Sequence, residues 1–386
     1  MKRTVELGTL INPAKTVRCG EGNYPVLSMT MHNGLMFQDE KFKKVIASKD
    51  TSDYKVVYRN QLVISFPIDE GVLAAQRITD AGIVSPAYGI WDIDQFQIKP
   101  EFLEYALRCD RAIQYYKAKL RGSTARRRSL PTPTLLAFTV PLPDIKEQDE
   151  ILDQIHRAKS IIEKRKDQIG KLDDLIKARF VEMFGDPVVN DRGWQKITLL
   201  ESLEAGRTVT YGIVQTGDEF ENGTPVFRPI DIAGGHVPKR EELKKTDPLI
   251  SARYKRTLLK GNELLITVRG SVGETFQTTD EFEGCNVGRN IVPLVTDSNK
   301  VLQRFLQELF AQDAIKNWLK GITKGIALQG LNMGEFKEMP VIVPPIAMQR
   351  AFVVFAMQVD KSKVTVQKAL DEAQILFDSL MQQYFG

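Results

Sequence analysis

Apolar residues recur at alternating spacings of four and three along two stretches of the chain. The first series is Ile151, Ile155, Ala158, Ile162, Arg165, Ile169, Leu172, Ile176, Arg179 and Met183. Shifted by 201 residues it becomes Phe352, Ala356, Val359, Lys363, Val366, Leu370, Ala373, Phe377, Leu380 and Tyr384. A seam kept at the heptad period predicts a long helix that packs lengthwise on a partner. Each segment is about 40 residues, hence roughly 60 Å long at 1.5 Å per residue. Alone, such a helix would expose its seam, and the simplest burial is against the other copy in the same chain. If one helix carries the chain away and the other returns it, the pair is antiparallel. Arg165, Arg179 and Lys363 interrupt the seams. Long basic side chains can snorkel at a seam edge, and polar seam residues can also fix register.

The repeat extends beyond the helices. Residues 143–185 answer to 344–386 without a gap: Pro143-Asp144-Ile145-Lys146-Glu147-Gln148 to Pro344-Pro345-Ile346-Ala347-Met348-Gln349, and Met183-Phe184-Gly185 to Tyr384-Phe385-Gly386. Phe102 to Gly122 and Leu302 to Gly321 are each apolar at helical spacing, with a terminal Gly expected in the left-handed position that closes a helix. Asn60-Gln61-Leu62-Val63-Ile64-Ser65 resembles Asn262-Glu263-Leu264-Leu265-Ile266-Thr267, and both read as short buried strands entered from a turn. A fold of α+β class follows, with two mixed α/β domains, two long antiparallel coiled-coil helices and an internal duplication. The boundaries are 1–142 for the first domain, 143–187 for the first helix, 188–342 for the second domain and 343–386 for the second helix. Asp144 is placed to cap the first helix, with Glu147 completing a capping box. The second copy has Pro345 and Met348 at those positions, so its cap must be built differently. Gly185-Asp186-Pro187 ends the first helix, because Gly permits the reversal and Pro forbids continuation.

At 386 residues the chain exceeds one ordinary core, which supports the division. A net charge of +4 permits an anionic partner without demanding one, so the distribution of charge decides. Cys19, Cys109 and Cys285 are few and far apart, which fits a reducing cytoplasm and gives no metal-ligand spacing. No apolar run approaches the roughly 20 residues of a membrane span. Met1-Lys2-Arg3-Thr4-Val5-Glu6 lacks the apolar core of a signal peptide.

Catalytic signatures are missing. The chain has neither a phosphate-binding P-loop nor a dinucleotide fingerprint, and Gly270-Ser271-Val272-Gly273 lacks the spacing of a nucleophile elbow. His32, His156 and His236 lie in different segments, so neither a catalytic residue nor a metal site is assigned. Neither Asn12-Pro13-Ala14 nor Val343-Pro344-Pro345-Ile346 forms the Asn/Asp-Pro-Pro-aromatic clamp of base methyltransferases. Asp144-Ile145-Lys146 has the minimal carboxylate-x-Lys of many nucleases, but Asp144 has a better use as a cap.

The basic residues point elsewhere. Lys117, Lys119, Arg121, Arg126, Arg127 and Arg128 form a run with no acid, straddling a helix end and a Gly-Ser-Thr loop. The matching region of the second copy carries Lys316, Trp318, Lys320 and Lys324. Such loops suit phosphate contact, while Arg and Asn can make paired hydrogen bonds to base edges. Further candidates are Arg228, Arg269 with Ser271, and Arg289-Asn290 in the second domain, and Arg77, Ser85 and Tyr88 in the first, where His32 and Asn33 could serve as well. Each is also a common loop residue.

This arrangement resembles the specificity (S) subunit of Type I restriction–modification enzymes. The resemblance covers the whole chain and is strongest at Pro141-Leu142-Pro143-Asp144-Ile145-Lys146-Glu147-Gln148, the long helix and Met183-Phe184-Gly185-Asp186-Pro187. Gly321-Ile322-Thr323-Lys324-Gly325-Ile326-Ala327-Leu328-Gln329-Gly330-Leu331 resembles the family's loop before its conserved helix. The resemblance implies two target recognition domains spaced by the helices, a bipartite asymmetric DNA target and no catalysis in this chain. It also implies two methyltransferase subunits using S-adenosylmethionine, and restriction subunits using ATP and magnesium. Two other readings remain: a nuclease or methyltransferase with an unrecognised site, and a tandem scaffold that never touches DNA.

Overall fold

The computed structural model describes residues 3–31, 34–38, 50–120, 130–235, 238–324 and 330–386. Contacts divide the chain into two compact units, one of Met1–Lys166 with Lys368–Gly386 and one of Asp167–Gln367. The two predicted long helices span Ile145–Phe184 and Ile346–Phe385, and each contributes one half to each unit.

Within the first unit, Gln154 meets the Tyr384 hydroxyl at 3.0 Å, and Lys159 lies 5.8 Å from the Phe377 ring centre. Partner numbers fall as the first helix advances, so the pairing is antiparallel. The second unit repeats this: Asp173 pairs with Lys363, Arg179 stands 5.7 Å from the Phe355 ring, and Phe180 and Phe184 each lie 5.5 Å from Phe352. None of the twenty seam positions is exposed, including Arg165, Arg179 and Lys363. Ile151, Ile155, Ile162, Ile176, Phe352 and Val359 are buried, whereas Ile169, Leu172, Val366, Leu370, Phe377 and Leu380 are half-buried.

In the first unit a four-stranded antiparallel sheet is ordered Ile11–Pro13, Gly89–Ile93, Leu62–Ile64, Leu73–Ala75. The second unit centres on Leu264–Thr267 between Thr275–Gln277 and Ile291–Leu294, all antiparallel. A neighbouring sheet sets Thr224–Phe227 antiparallel to Lys244–Thr246 and parallel to Asn286–Val287. The strands Leu62–Ile64 and Leu264–Thr267, legible from their β-branched and Leu runs, sit in the cores. In each copy the first strand closes on the last, Thr4–Glu6 on Thr139–Pro141 and Gln195–Thr198 on Pro340–Val343.

The helical stretches after the sheets differ from expectation. Each is two helices, Pro100–Arg108 with Asp110–Lys119, and Gln303–Ala311 with Asp313–Gly321. Cys109 and Gln312 break them with extended ψ values of 161° and 138°. A break leaves last-turn carbonyls without partners. Here the side chain at the break supplies a donor: the Cys109 thiol to Ala106 O at 3.2 Å, and Gln312 Nε2 to Glu308 O at 3.0 Å. Gly321 is the last helical residue, not a left-handed one beyond it, and the Thr323 hydroxyl caps that end by donating to Leu319 O. Gly122 lies outside the described residues.

Two buried glutamines tie the long helices to these domains. Gln148 Oε1 accepts from Lys99 N at 2.8 Å, and its Nε2 donates to Gln97 O and Pro143 O, both at 2.9 Å. Gln349 repeats the pattern with Leu302 N at 2.9 Å, Lys300 O at 3.0 Å and Pro344 O at 2.8 Å. Asp144 caps the first helix by accepting from Glu147 N at 2.8 Å. At the start of the second helix the backbone carbonyl of Pro345 receives the amides of Met348 and Gln349. Gly185, with φ of 74°, makes the turn that ends the first helix.

Candidate nucleic-acid interface

In the second unit the backbone gathers several of the expected residues. Phe227 pairs with Val287 in parallel, and Gly288 N donates to Phe227 O at 2.9 Å. Arg228 and Arg289 therefore leave the same end of adjacent strands. Val268 N donates to Asn290 O at 2.8 Å, which sets Asn290 beside the turn that carries Arg269 and Ser271. Arg269 bridges to Gly330 of the strand pair Thr323–Lys324 and Gly330–Leu331. A Cβ on Gly330 would stand 2.9 Å from Arg269 Cγ, so glycine is what lets the arginine stem cross the hairpin. A groove of about 620 Å³ opens beside this turn, lined by Gly270, Val272, Gly273, Lys316, Lys320 and Thr323.

Local chemistry separates these side chains. Arg269, Ser271 and Arg289 are exposed. Arg228, still partly exposed, is paired within its own turn: its Nε and Nη2 donate to Asp231 at 3.2 and 2.8 Å, and the Asp231 hydrogen bonds hold its guanidinium above its ordinary range. Asn290 has a buried Oδ1 that meets no donor, a cost that native structures carry at few positions. Gly212 shows how tightly the loop before this sheet packs, since an added Cβ would lie 1.8 Å from Val287 O.

Among the described residues of the first unit, the expected ones do not converge in this way. Arg77 pairs with Glu101 at 2.8 Å and Glu104 at 3.9 Å, so its charge is answered within the chain. Tyr88 packs partly against the small core around Leu27, Val57 and Val63, and its carbonyl accepts from Lys55 Nζ at 2.7 Å. Ser85 Oγ accepts from Ala87 N. Lys117 and Lys119 are exposed at the end of their helix. Arg121, Arg126, Arg127 and Arg128, with His32, Asn33 and His236, lie outside the described residues, as does the side chain of Lys324.

A further set of cations escaped the sequence reading. Arg253, Lys255 and Arg256 are exposed on the turn Ala252–Thr257, whose Thr257 joins a hydrogen bond to the buried Asn286. The available signal was the absence of any acid from Pro248 to Asn262. Among the described residues no three His, Cys, Asp or Glu side chains group as metal ligands, and no helix is long and apolar enough to cross a membrane.

Residues 193–373 match the family model described as the Type I restriction modification DNA specificity domain. The chain is 22% identical over 283 residues to the Type I restriction enzyme EcoBI specificity subunit of Escherichia coli, a match covering 67% of this chain and 59% of that relative. It thus spans less than two thirds of that relative's length. In fold it resembles a chain solved in work on complex assembly and conformational transition of the type I R-M system. That likeness has a TM-score of 0.55 at 17% identity and covers 99% of this chain and 97% of the other.

Proposed function

We propose, from the premise that the chain belongs to the Type I restriction–modification specificity family, that it is the non-catalytic DNA-reading subunit of such a complex. The observation that carries this is the edge of the second unit, where Arg228, Arg269, Ser271, Arg289 and Asn290 are gathered by backbone pairing beside the Lys316 and Lys320 groove. Arg and Asn can read base edges in the major groove, while exposed lysines take phosphates. In this reading residues 1–142 recognise one half-site and 188–342 the other. Because the two copies have diverged, the target is bipartite and asymmetric. Lys119, Arg126, Arg127 and Arg128 serve the first half-site, and Lys320 and Lys324 the second.

The chemistry belongs to partners: two methyltransferase subunits that flip adenines from the duplex and use S-adenosylmethionine, and restriction subunits that use ATP and magnesium. Exposed apolar residues on the terminal long helix, Val354, Met357 and Val364, support a protein partner there. The setting is the cytoplasm, where the DNA lies. Exchanging residues 1–142 for those of a relative with another target, followed by methylation-aware sequencing of the host genome, tests the assignment. One half of the methylated target should change and the other persist. A change in both halves, or in neither, would defeat it.

A further inference from the structure

We propose that the turn Ala252–Thr257 is a built phosphate anchor of this DNA reader, holding the duplex backbone through Arg253, Lys255 and Arg256. The inference rests on the DNA-binding reading above and adds a site to it. Several cations of the second unit are already answered by carboxylates. Arg207 pairs with Glu204 and Glu263, Lys239 with Glu242, Lys300 with Asp297, and Arg304 with Glu308 and Asp360. Among the described residues Arg253, Lys255 and Arg256 meet no ion-pair partner, and all three are exposed. Between Asp247 and Glu263 the sequence holds these three and Lys260, with no acid. Three cations placed together without a counter-charge repel one another, and a polyanion relieves that repulsion.

The turn is not a loose surface loop. Asn286, fully buried, organises it from below. Its Nδ2 donates to Ser251 Oγ at 3.0 Å and to Tyr254 O at 3.3 Å. Its Oδ1 accepts from the Thr257 hydroxyl at 2.7 Å and from Val287 N at 2.9 Å. Tyr254 leaves helical geometry at φ −115°, ψ 46°, so the backbone turns at the middle of the basic set. A side chain that bonds both ends and the middle of the turn fixes where the three cations start from. Preorganisation of this kind lowers the ordering cost of binding.

Placement supplies the ligand. Asn286 begins the strand Asn286–Val287, and Arg289 follows two residues after its end. Three residues at about 3.3 Å each put at most roughly 10 Å between the anchor's support and Arg289, the axial length of about three base pairs. Phosphate contacts fix register while base contacts specify, and here one short strand carries the support of the first and a candidate for the second. Duplex DNA flanking the bases read by this domain is the occupant.

The experiment measures binding of the full chain to a labelled duplex of random sequence over a series of potassium chloride concentrations. Wild type is compared with the triple variant Arg253→Ala, Lys255→Ala, Arg256→Ala and with the charge-preserving Arg253→Lys, Arg256→Lys. Each lost phosphate contact flattens the slope of log affinity against log salt by about 0.9, so the triple variant should lose between about one and three units and bind every duplex more weakly. The lysine variant should keep the wild-type slope. A wild-type slope in the triple variant, while wild type binds, overturns the anchor and leaves DNA reading intact; the turn would then face an anionic protein or solvent. Equal loss in the lysine and alanine variants overturns it too, since charge would not be the agent. If wild type binds no duplex at the lowest salt, the anchor and the reading fall together.

Discussion

The two copies of the helix–domain junction keep some features and invert others. Gln148 and Gln349 make the same three hydrogen bonds, and Phe102 meets Phe385 at 4.9 Å as Phe305 meets Phe184 at 5.0 Å. The charges around them reverse. Glu101 binds Arg77 at 2.8 Å and His156 at 2.9 Å, whereas Arg304, in the corresponding place, binds Glu308 at 2.7 Å and Asp360 at 2.9 Å. Where the second copy sets Glu308 near Asp360, the first sets the Tyr105 ring under Lys159 at 4.9 Å. The difference follows from what each contact must satisfy. A buried backbone amide or carbonyl has the same need in every copy, and losing its partner costs about 1–3 kcal/mol. A half-exposed ion pair needs only complementarity and is worth little in itself, so it can drift as a pair.

The largest effect should come from the aromatic anchors. Phe305 touches Phe180, Phe184 and Phe352, while Phe102 has Phe385 as its ring partner among the described residues. Both are fully buried, so Phe305→Ala and Phe102→Ala should each cost about 3–5 kcal/mol, with Phe305→Ala the more severe. Urea unfolding followed by circular dichroism reads this. A loss below about 1 kcal/mol for either would mean that the junction collapses around the cavity and is no anchor.

The sequence made much of this plain. The heptad seams, the 201-residue repeat and the strands at Leu62 and Leu264 depend on local pattern and needed no tertiary knowledge. The breaks at Cys109 and Gln312 were not visible, because no Pro or Gly marks them and buried side chains supply the missing partners. At the candidate interface, Arg269 and Asn290 were legible as residue types in loops, but their adjacency depends on the bond from Val268 N to Asn290 O. Arg228 reads the same in sequence whether it faces a base or Asp231, and the structure sets it on Asp231. The basic turn at Arg253 was overlooked because Leu258 and Leu259 dilute its charge.

A middle-sized effect tests the conserved feature itself. Gln148→Leu leaves Lys99 N–H and two carbonyls without their partner, and Gln349→Leu does the same to Leu302 N–H and its two carbonyls. Each variant should lose about 1–3 kcal/mol, and the two losses should agree within roughly 1 kcal/mol, because the bonds are the same. Unfolding midpoints of the two variants settle it. One neutral and one damaging substitution would show that the copies share geometry without sharing energetics.

The smallest effect sharpens the inverted feature and has a definite sign. Glu308 is 8% exposed, and burial pushes its carboxyl above the ordinary 4.5, with Arg304 pulling it down and Asp360 adding to the rise. The folded chain therefore keeps a proton that the unfolded chain releases. The stability this group contributes is fully present below pH 4.5 and is lost as pH rises through its raised value. Glu308→Gln cannot ionise, so wild-type stability relative to this variant should fall as pH climbs from the acid side toward neutrality. Carboxylates shifted the other way, such as Glu201 under its Thr198 hydrogen bonds, are common to both proteins and cancel in the difference. The corresponding change in the first copy, Tyr105→Phe, removes no carboxylate, and its difference curve should be flat. A flat curve for Glu308→Gln as well would mean that Arg304 fully offsets the burial, and the two junctions would then be electrostatically equivalent despite their reversed charges.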